Sequence, residues 1–348
     1  MTHSTTYRAA VVKAPGQLEL VERQIPEPSY GQVRIRVEAC GVCHSDSATV
    51  ERQAPDGAPP RVPGHEVVGR IEAVGNGVEG WQIGQRVGVG FLAGEDRTCS
   101  SCRHGDVVNC ENPVITGMTT DGGYAEIMLA EACGLVRVPD DLDAAEAAPL
   151  LCAGLTTFNA LRNAGARPGD VVAIHGLGGL GHLAVQFANR MGFRTVAIAR
   201  GADKAALAAQ LGAHRYIDAR TEDVAAELRA MGGAKVVLGT APTGSGMAET
   251  VAGLSARGRL VVVAVPGEPI AVNAVDLVFG GRSVVGALTG TVADNEETLA
   301  FARLQNVRPM IETFPLEQAQ AAYDRMMRAD VRFRAVLTMN SAPTGVTA

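Results

Sequence analysis

The chain has 348 residues, a formal net charge of −6, 47% hydrophobic and 20% charged residues, the balance of a globular protein of about two domains. Its 31 Lys and Arg residues are spread along the chain, which excludes the basic patch of a nucleic-acid binder. The opening MTHSTTYRAAVVKAPG lacks the apolar core and small-residue cleavage site of a signal peptide, and no apolar run approaches the ~18 residues that span a bilayer. The expected location is therefore the cytoplasm, with neither a nucleic acid nor a membrane as partner. Seven cysteines, five of them in two short clusters, point in a reducing compartment to metal before disulfide.

From residue 7 to 90, YRAAVV, QLELVERQIP, QVRIRVEACG, VVGRIEAVG and GQRVGVG alternate at period two and read as strands of a mostly-β, partly closed barrel. Asp143–Arg162 is alanine-rich and helical, interrupted by Pro149. Strands then alternate with helices: DVVAIH, a helix, TVAIAR, a helix near Lys204–Leu211, RYID, a helix near Asp223–Met231, KVVLG, a helix near Gly246–Leu254, and RLVVVAVPG. That order is the mark of an α/β domain with a parallel sheet and helices on both faces. After about Gly286 the texture is mixed again, with a late helix in PLEQAQAAYDRMMRAD and a last strand in FRAVLTM. The expected domains are 1–150 with 287–348, and a doubly wound insert at 151–286.

Gly176-x-Gly178-x-x-Gly181 directly follows a strand and opens a helix. Gly176 suits the tight turn, Gly178 admits a pyrophosphate to the backbone, and Gly181 lets helix and strand pack closely. The helix N-terminus offers free N–H groups to the phosphates. The next strand ends in Ala199 where an NAD site usually has a carboxylate; Arg200 follows and Lys204 lies one turn on. This favours NADP(H) over NAD(H), the alternative being that Arg200 is a solvated loop charge.

Four short stretches carry metal-ligand chemistry. ACGVCHSD holds Cys40 and Cys43, VPGHEVVG holds His65 and Glu66, and PLLCAGLTTF holds Cys152. GEDRTCSSCRHGDVVNC spaces Cys99, Cys102 and Cys110 as C-x2-C-x7-C, with Asp96 three residues before the first. Cys, His and Cys converging with one open position is a recognised form of catalytic zinc site.

Together, CGVCHSD, GHE, the cysteine lobe, CAGLTTF and GLGGLGH resemble, in order and over essentially the whole chain, the zinc-containing alcohol dehydrogenases of the medium-chain dehydrogenase/reductase superfamily. The resemblance implies a GroES-like catalytic domain and a Rossmann domain, with the active site in the cleft between them. It implies that Cys43, His65 and Cys152 hold the catalytic zinc, while Cys40 packs in the core. Glu66 would sit behind the metal, Asp46 would orient His65, and Ser45 would take the substrate proton. Thr156 would contact the nicotinamide and Arg334 the pyrophosphate, with His44, Gly179 and Val265 as further coenzyme contacts. Phe91, Leu92, Val265 and Leu288 would line an apolar substrate wall.

Two positions depart from the family pattern. A histidine that several members place five residues after the first zinc cysteine is Ala48 here, so the proton must leave Ser45 by another route. Asp96 replaces the first cysteine of the lobe. Carboxylate oxygen is a competent zinc ligand, and three thiolates with one carboxylate carry the formal charge of four thiolates, so an occupied structural zinc is expected. His104 is a less well spaced substitute. The function expected is hydride transfer between a small alcohol, or an aldehyde or ketone in reverse, and a nicotinamide coenzyme, in a homodimer or homotetramer. The competing readings are a zinc-free enoyl or quinone reductase of the same fold and a nucleotide-binding protein without turnover.

Overall fold

Alternation of buried and exposed side chains makes the first part of the chain a β structure. β1 (Thr6–Ala14) pairs antiparallel with β2 (Gln17–Gln24). β3 (Gln32–Val42) pairs antiparallel with β4 (Glu66–Val74), and β4 with β5 (Arg86–Val89). β6 (Leu92–Gly94) meets β7 (Val114–Ile115), β8 (Ile127–Glu131) lies on β3, and β9 (Leu135–Arg137) lies on β5. In β3, Val33, Ile35 and Val37 turn into the core while Arg34 and Arg36 turn out to Glu72. Each such buried branched side chain contributes roughly 1.5–3 kcal/mol.

The second set of strands is all parallel: β10 (Val171–His175), β11 (Arg194–Ala199), β12 (Arg215–Asp218), β13 (Ala234–Gly239), β14 (Leu254–Val262) and β15 (Ser283–Gly286), in the order β12-β11-β10-β13-β14-β15. This is the doubly wound order, whose switch point falls between β10 and β13. Helices Gly181–Arg190, Ala205–Gln210, Val224–Ala230 and Gly244–Val251 link the strands. Val171 and Ala173 of β10 share a core with Val196, Ile198, Val237 and Met247. The chain then returns to the first sheet through β16 (Ile311–Pro315) and β17 (Arg334–Thr338), giving the order β16-β17-β3-β4-β5-β9.

The computed structural model describes residues 5–53 and 58–339. It divides into two units: Met1–Cys152, Thr291–Ala300 and Pro309–Ala348 form the first, and Ala153–Gly290 with Phe301–Arg308 the second. This differs from the sequence boundaries at Leu151 and Cys152, at 287–290 and at 301–308. Helix Val292–Gln305 was not read from the sequence at all. The helix expected in PLEQAQAAYDRMMRAD narrows to Ala319–Met327 behind a 3-10 turn at Leu316–Gln318. No helix among the described residues is long and apolar enough to cross a membrane.

Candidate functional site

In the first unit, β3 ends at Val42 and the chain turns through a 3-10 helix at His44–Asp46. The Asp46 carboxylate accepts from the Cys43 amide at 2.9 Å, which closes this turn and leaves Cys43 and Asp46 buried but His44 and Ser45 exposed. Ala48 is exposed too. His65 stands just before β4 and Glu66 opens it; they are 1% and 0% exposed. Cys152 comes from a π-helical segment, Leu150–Gly154.

These elements bring Cys43, His65, Glu66 and Cys152 together, with one ligand atom of each within 4.8 Å of all the others. His65 Nδ1 is bonded to Asp46 Oδ1 at 2.9 Å, so Asp46 fixes the ring and directs Nε2 into the cluster. Nε2 has no hydrogen-bond partner, and neither does Glu66 Oε2. A buried polar atom left bare costs a few kcal/mol unless something else meets it. The Cys152 thiol donates to Cys43, holding Cys43 well below the usual thiol range against its burial. The same bond pushes Cys152 up, with burial adding to it. Burial would lower His65, but Asp46 and then Cys43 outweigh it and raise it well above the ordinary imidazole value. Two sulfurs, a bare imidazole nitrogen and a bare carboxylate oxygen are a donor set that fits zinc.

Glu66 Oε1 is paired with Arg334, which is 4% exposed and keeps an unpartnered Nε. Burial raises Glu66 to about 7, with Arg334 opposing the rise. Arg334, expected at a pyrophosphate, thus lies against Glu66 beside the first cluster. Cys40 is fully buried and outside the cluster. The Phe91 ring meets His65 edge-on, with centroids 5.1 Å apart. Leu92 opens β6 opposite Ile115.

The lobe forms a second cluster, in which ligand atoms of Asp96, Cys99, Cys102 and Cys110 also lie within 4.8 Å of one another. Backbone N–H groups point at its sulfurs: Cys102 and Glu111 donate to Cys99, and Asp96 and Asn112 donate to Cys110, at 3.4–3.5 Å. The Glu111 amide, then that of Cys102, holds the Cys99 thiol below its ordinary value. Asp96 Oδ1 accepts from the Thr98 and Cys99 amides, and Oδ2 accepts from Asn112 Nδ2 at 2.8 Å. These bonds, Asn112 first, hold the carboxyl well below its usual range. Oδ2, with one donor, keeps a lone pair for a cation. His104 instead bonds the Ser100 carbonyl and lies outside the cluster.

The second unit carries the glycine cradle. Gly176 has φ +106°, open to glycine and costly for other residues. A Cβ on Gly181 would stand 1.9 Å from the Gly176 carbonyl oxygen, so any side chain there would push helix and strand apart. Around Gly178 there is open space. Gly179 lies in the same turn, and helix Gly181–Arg190 starts there with its N-terminus toward the loop. The cradle fits a dinucleotide pyrophosphate. Thr156 is buried and donates to the Leu288 carbonyl at 3.4 Å. Leu288 and Val265 are 54% and 92% exposed.

Beyond β11, Arg200 is exposed and makes no ion pair among the described residues, while Lys204 closes a 3-10 turn at Ala202–Lys204. Asp218 of β12 lies opposite Ala199 and accepts from the Gly201 and Arg220 amides. His175, at the end of β10, is 7% exposed with Nδ1 unpartnered. Burial first, then Arg200, pushes it down to about 4.

Sequence reasoning missed His175, Asn295 and Tyr124. Asn295 is buried and donates to the Leu151 carbonyl beside Cys152 at 3.2 Å. Tyr124 is fully buried and donates to Asp46 Oδ2 at 2.8 Å. DGGYAEI marks a tyrosine beside paired glycines, but nothing in it points to Asp46.

Comparison with known proteins gives one answer. Residues 29–140 match the family model described as alcohol dehydrogenase GroES-like domain, and residues 179–304 the one described as zinc-binding dehydrogenase. The chain is 43% identical over 341 residues to alcohol dehydrogenase notN of Aspergillus sp. (strain MF297-2), covering 98% of this chain and 100% of the relative. It is 39% identical to an alcohol dehydrogenase of Geobacillus stearothermophilus, covering 96% and 100%. Among solved structures it is similar to the alcohol dehydrogenase of Aeropyrum pernix, with TM-score 0.85, 31% identity, and 95% and 99% of the two chains covered.

Proposed function

The chain belongs to the zinc-containing alcohol dehydrogenases of the medium-chain dehydrogenase/reductase superfamily, and from that premise we propose how its own residues serve the oxidation of an alcohol with a nicotinamide coenzyme. The observation that carries the reading is the convergence of Cys43, His65 and Cys152, with His65 Nε2 buried and unpartnered.

Cys43, His65 and Cys152 would hold the catalytic zinc, with Glu66 Oε2 as a further oxygen donor beside them. Zinc bound there supplies the Lewis acidity that makes an alcohol easier to deprotonate or a carbonyl easier to reduce. A bound oxidised nicotinamide would supply the hydride acceptor, the overall balance being alcohol and oxidised coenzyme to aldehyde or ketone, reduced coenzyme and a proton. Asp46 keeps His65 in the tautomer that frees Nε2. Ser45, exposed at the turn after Cys43, takes the alcohol proton; Ala48, in the short helix Ser47–Val50, offers no base to carry it further. Phe91, edge-on to His65, offers an apolar face beside the cluster, with Leu92 next to it in the first unit.

Within the second unit, Gly176, Gly178, Gly179 and Gly181 cradle the pyrophosphate, with Thr156 and Val265 at the nicotinamide. Arg200 and Lys204 favour NADP(H): they flank the end of β11, where Ala199 offers no carboxylate to repel a 2′-phosphate. Asp96 completes a structural zinc site with Cys99, Cys102 and Cys110, supported by the ring of amides on its sulfurs. The active form is a homo-oligomer, supported by the open edge at β15.

Metal analysis tests the zinc reading. Protein purified without chelator is expected to hold about two zinc per chain, one for each cluster that obeys zinc coordination rules. Cys43→Ala should lose one zinc and alcohol oxidation while coenzyme still binds. Asp96→Ala should lose the other zinc and keep activity. Normal turnover in a Cys43→Ala protein shown to lack that zinc would sink the assignment.

A further inference from the structure

Asp46 is 3% exposed, and a carboxylate buried that deeply costs several kcal/mol unless donors reach its lone pairs. Three do. His65 Nδ1 lies on Oδ1 at 2.9 Å, the Cys43 amide on Oδ2 at 2.9 Å, and the Tyr124 hydroxyl on Oδ2 at 2.8 Å. The amide is the turn's own cap. The hydroxyl comes from 78 residues away, from a fully buried ring whose hydroxyl has no other partner among the described residues.

The ring's seat is built for it. Gly64, next to His65, has φ +101°, and a Cβ there would stand 2.3 Å from Tyr124 Cδ1. The ring therefore lies close against the backbone that presents His65, and its hydroxyl reaches the carboxylate that orients the same histidine. An Asp carboxylate turns easily about its last torsion. Two donors on one oxygen stop that turning.

We infer that Tyr124 is a positioning residue for the metal centre: its hydroxyl pins Asp46 Oδ2, so that Oδ1 stays aligned on His65 Nδ1 and Nε2 stays aimed at the cation. The inference rests on the zinc reading of Cys43, His65 and Cys152. Loss of a hydrogen-bond partner of a ligating histidine costs ~10- to 100-fold in metal affinity or activity. Tyr124 acts one bond further out, so its share is expected below that range, about 3- to 10-fold.

The test is Tyr124→Phe in the zinc-loaded full-length protein, which deletes the hydroxyl and keeps the ring. Zinc transfer to a chromogenic chelator should run about 3- to 10-fold faster for one of the two ions. The visible spectrum of the cobalt-substituted enzyme should shift, and kcat should fall with KM for the coenzyme unmoved. Asp46→Asn sets the scale, and the double variant should be little worse than Asp46→Asn alone, because the hydroxyl acts through that carboxylate. Wild-type zinc release with an unchanged cobalt spectrum would overturn the inference, as would a double variant whose effects add in full. If Tyr124→Phe does not fold, the wild-type protein decides. A hydroxyl proton held by a buried carboxylate gives a slowly exchanging NMR signal that Asp46→Asn should abolish, and its absence overturns the inference. A wild type with no zinc that Cys43→Ala removes would instead defeat the zinc reading itself.

Discussion

In the proposed reading Arg200 is the residue that would meet a 2′-phosphate, and its exposed surroundings set the size of the effect. A guanidinium on a 2′-phosphate is worth ~1.5–3 kcal/mol as a charge-assisted hydrogen bond, but solvent screening at an exposed position favours the low end. Asp218, and the exposed Asp203 beside Gly201, pull the same way. About tenfold in favour of NADPH is therefore expected, by the ~1.4 kcal/mol-per-decade relation. Comparing kcat/KM for NADPH and NADH checks it. Arg200→Ala should cut NADPH use about tenfold. Ala199→Asp should cut NADPH use and raise NADH use by restoring an acceptor for the ribose 2′-OH. A wild type that prefers NADH, with Arg200→Ala neutral, would make the arginine a surface charge only. At this scale the members of the two clusters were legible because each sits in a short stretch whose residue types serve little else. Tyr124 was not, since its partner is fixed by the fold and not by spacing. The Arg334 pairing with Glu66 was hidden for the same reason, 268 residues apart.

The element that places Cys152 is a broken helix. Helix Ala144–Pro149 ends on a residue with no N–H, and the chain widens into the π segment Leu150–Gly154 before helix Leu155–Asn163 resumes. Side chains then supply partners to the carbonyls of that segment: Thr157 donates to Ala153 and Gly154, and Asn295 to Leu151. Pro149 made the interruption legible in the sequence; the partner in Val292–Gln305 was not, because that helix spreads Asp294, Glu296 and Glu297 among its apolar residues with no clear stripe. The strands were read best where alternation ran long, as in β3, and missed where two to five residues pair, as in β6 to β9. Asn295→Ala should destabilise the protein. Baring the Leu151 carbonyl costs about 1–3 kcal/mol, and removing the unpartnered Asn295 Oδ1 regains part of it, so a net loss near 1 kcal/mol is expected. A lower denaturant midpoint and easier zinc release to a chelator would show it. A variant that matches wild type in both would mean that the amide does not hold the segment.

For the whole molecule, the six-stranded parallel sheet ends in two edge strands, β12 and β15. Among the described residues β15 pairs only with β14, which leaves its outer edge open. Val284 on it is 37% exposed, and the short helix Ala274–Val278 leading toward it exposes Val275 and Val278, with Phe279 after them at 87%. Exposed edges and clustered apolar side chains mark surfaces that another chain covers. A second copy of this chain is the occupant we expect, because an identical edge presented by two-fold symmetry completes both sheets at once. The chain mass is 36.1 kDa. Light scattering on wild type should therefore give an integral multiple of that mass, a dimer or a tetramer. Phe279→Lys, which sets two like charges across a two-fold axis, should shift the mass down and make it depend on concentration. Because coenzyme and zinc ligands lie elsewhere, Phe279→Lys should keep both zinc ions. A wild type that elutes as a monomer, or a Phe279→Lys protein with undiminished mass, would show that this edge is not where the copies meet.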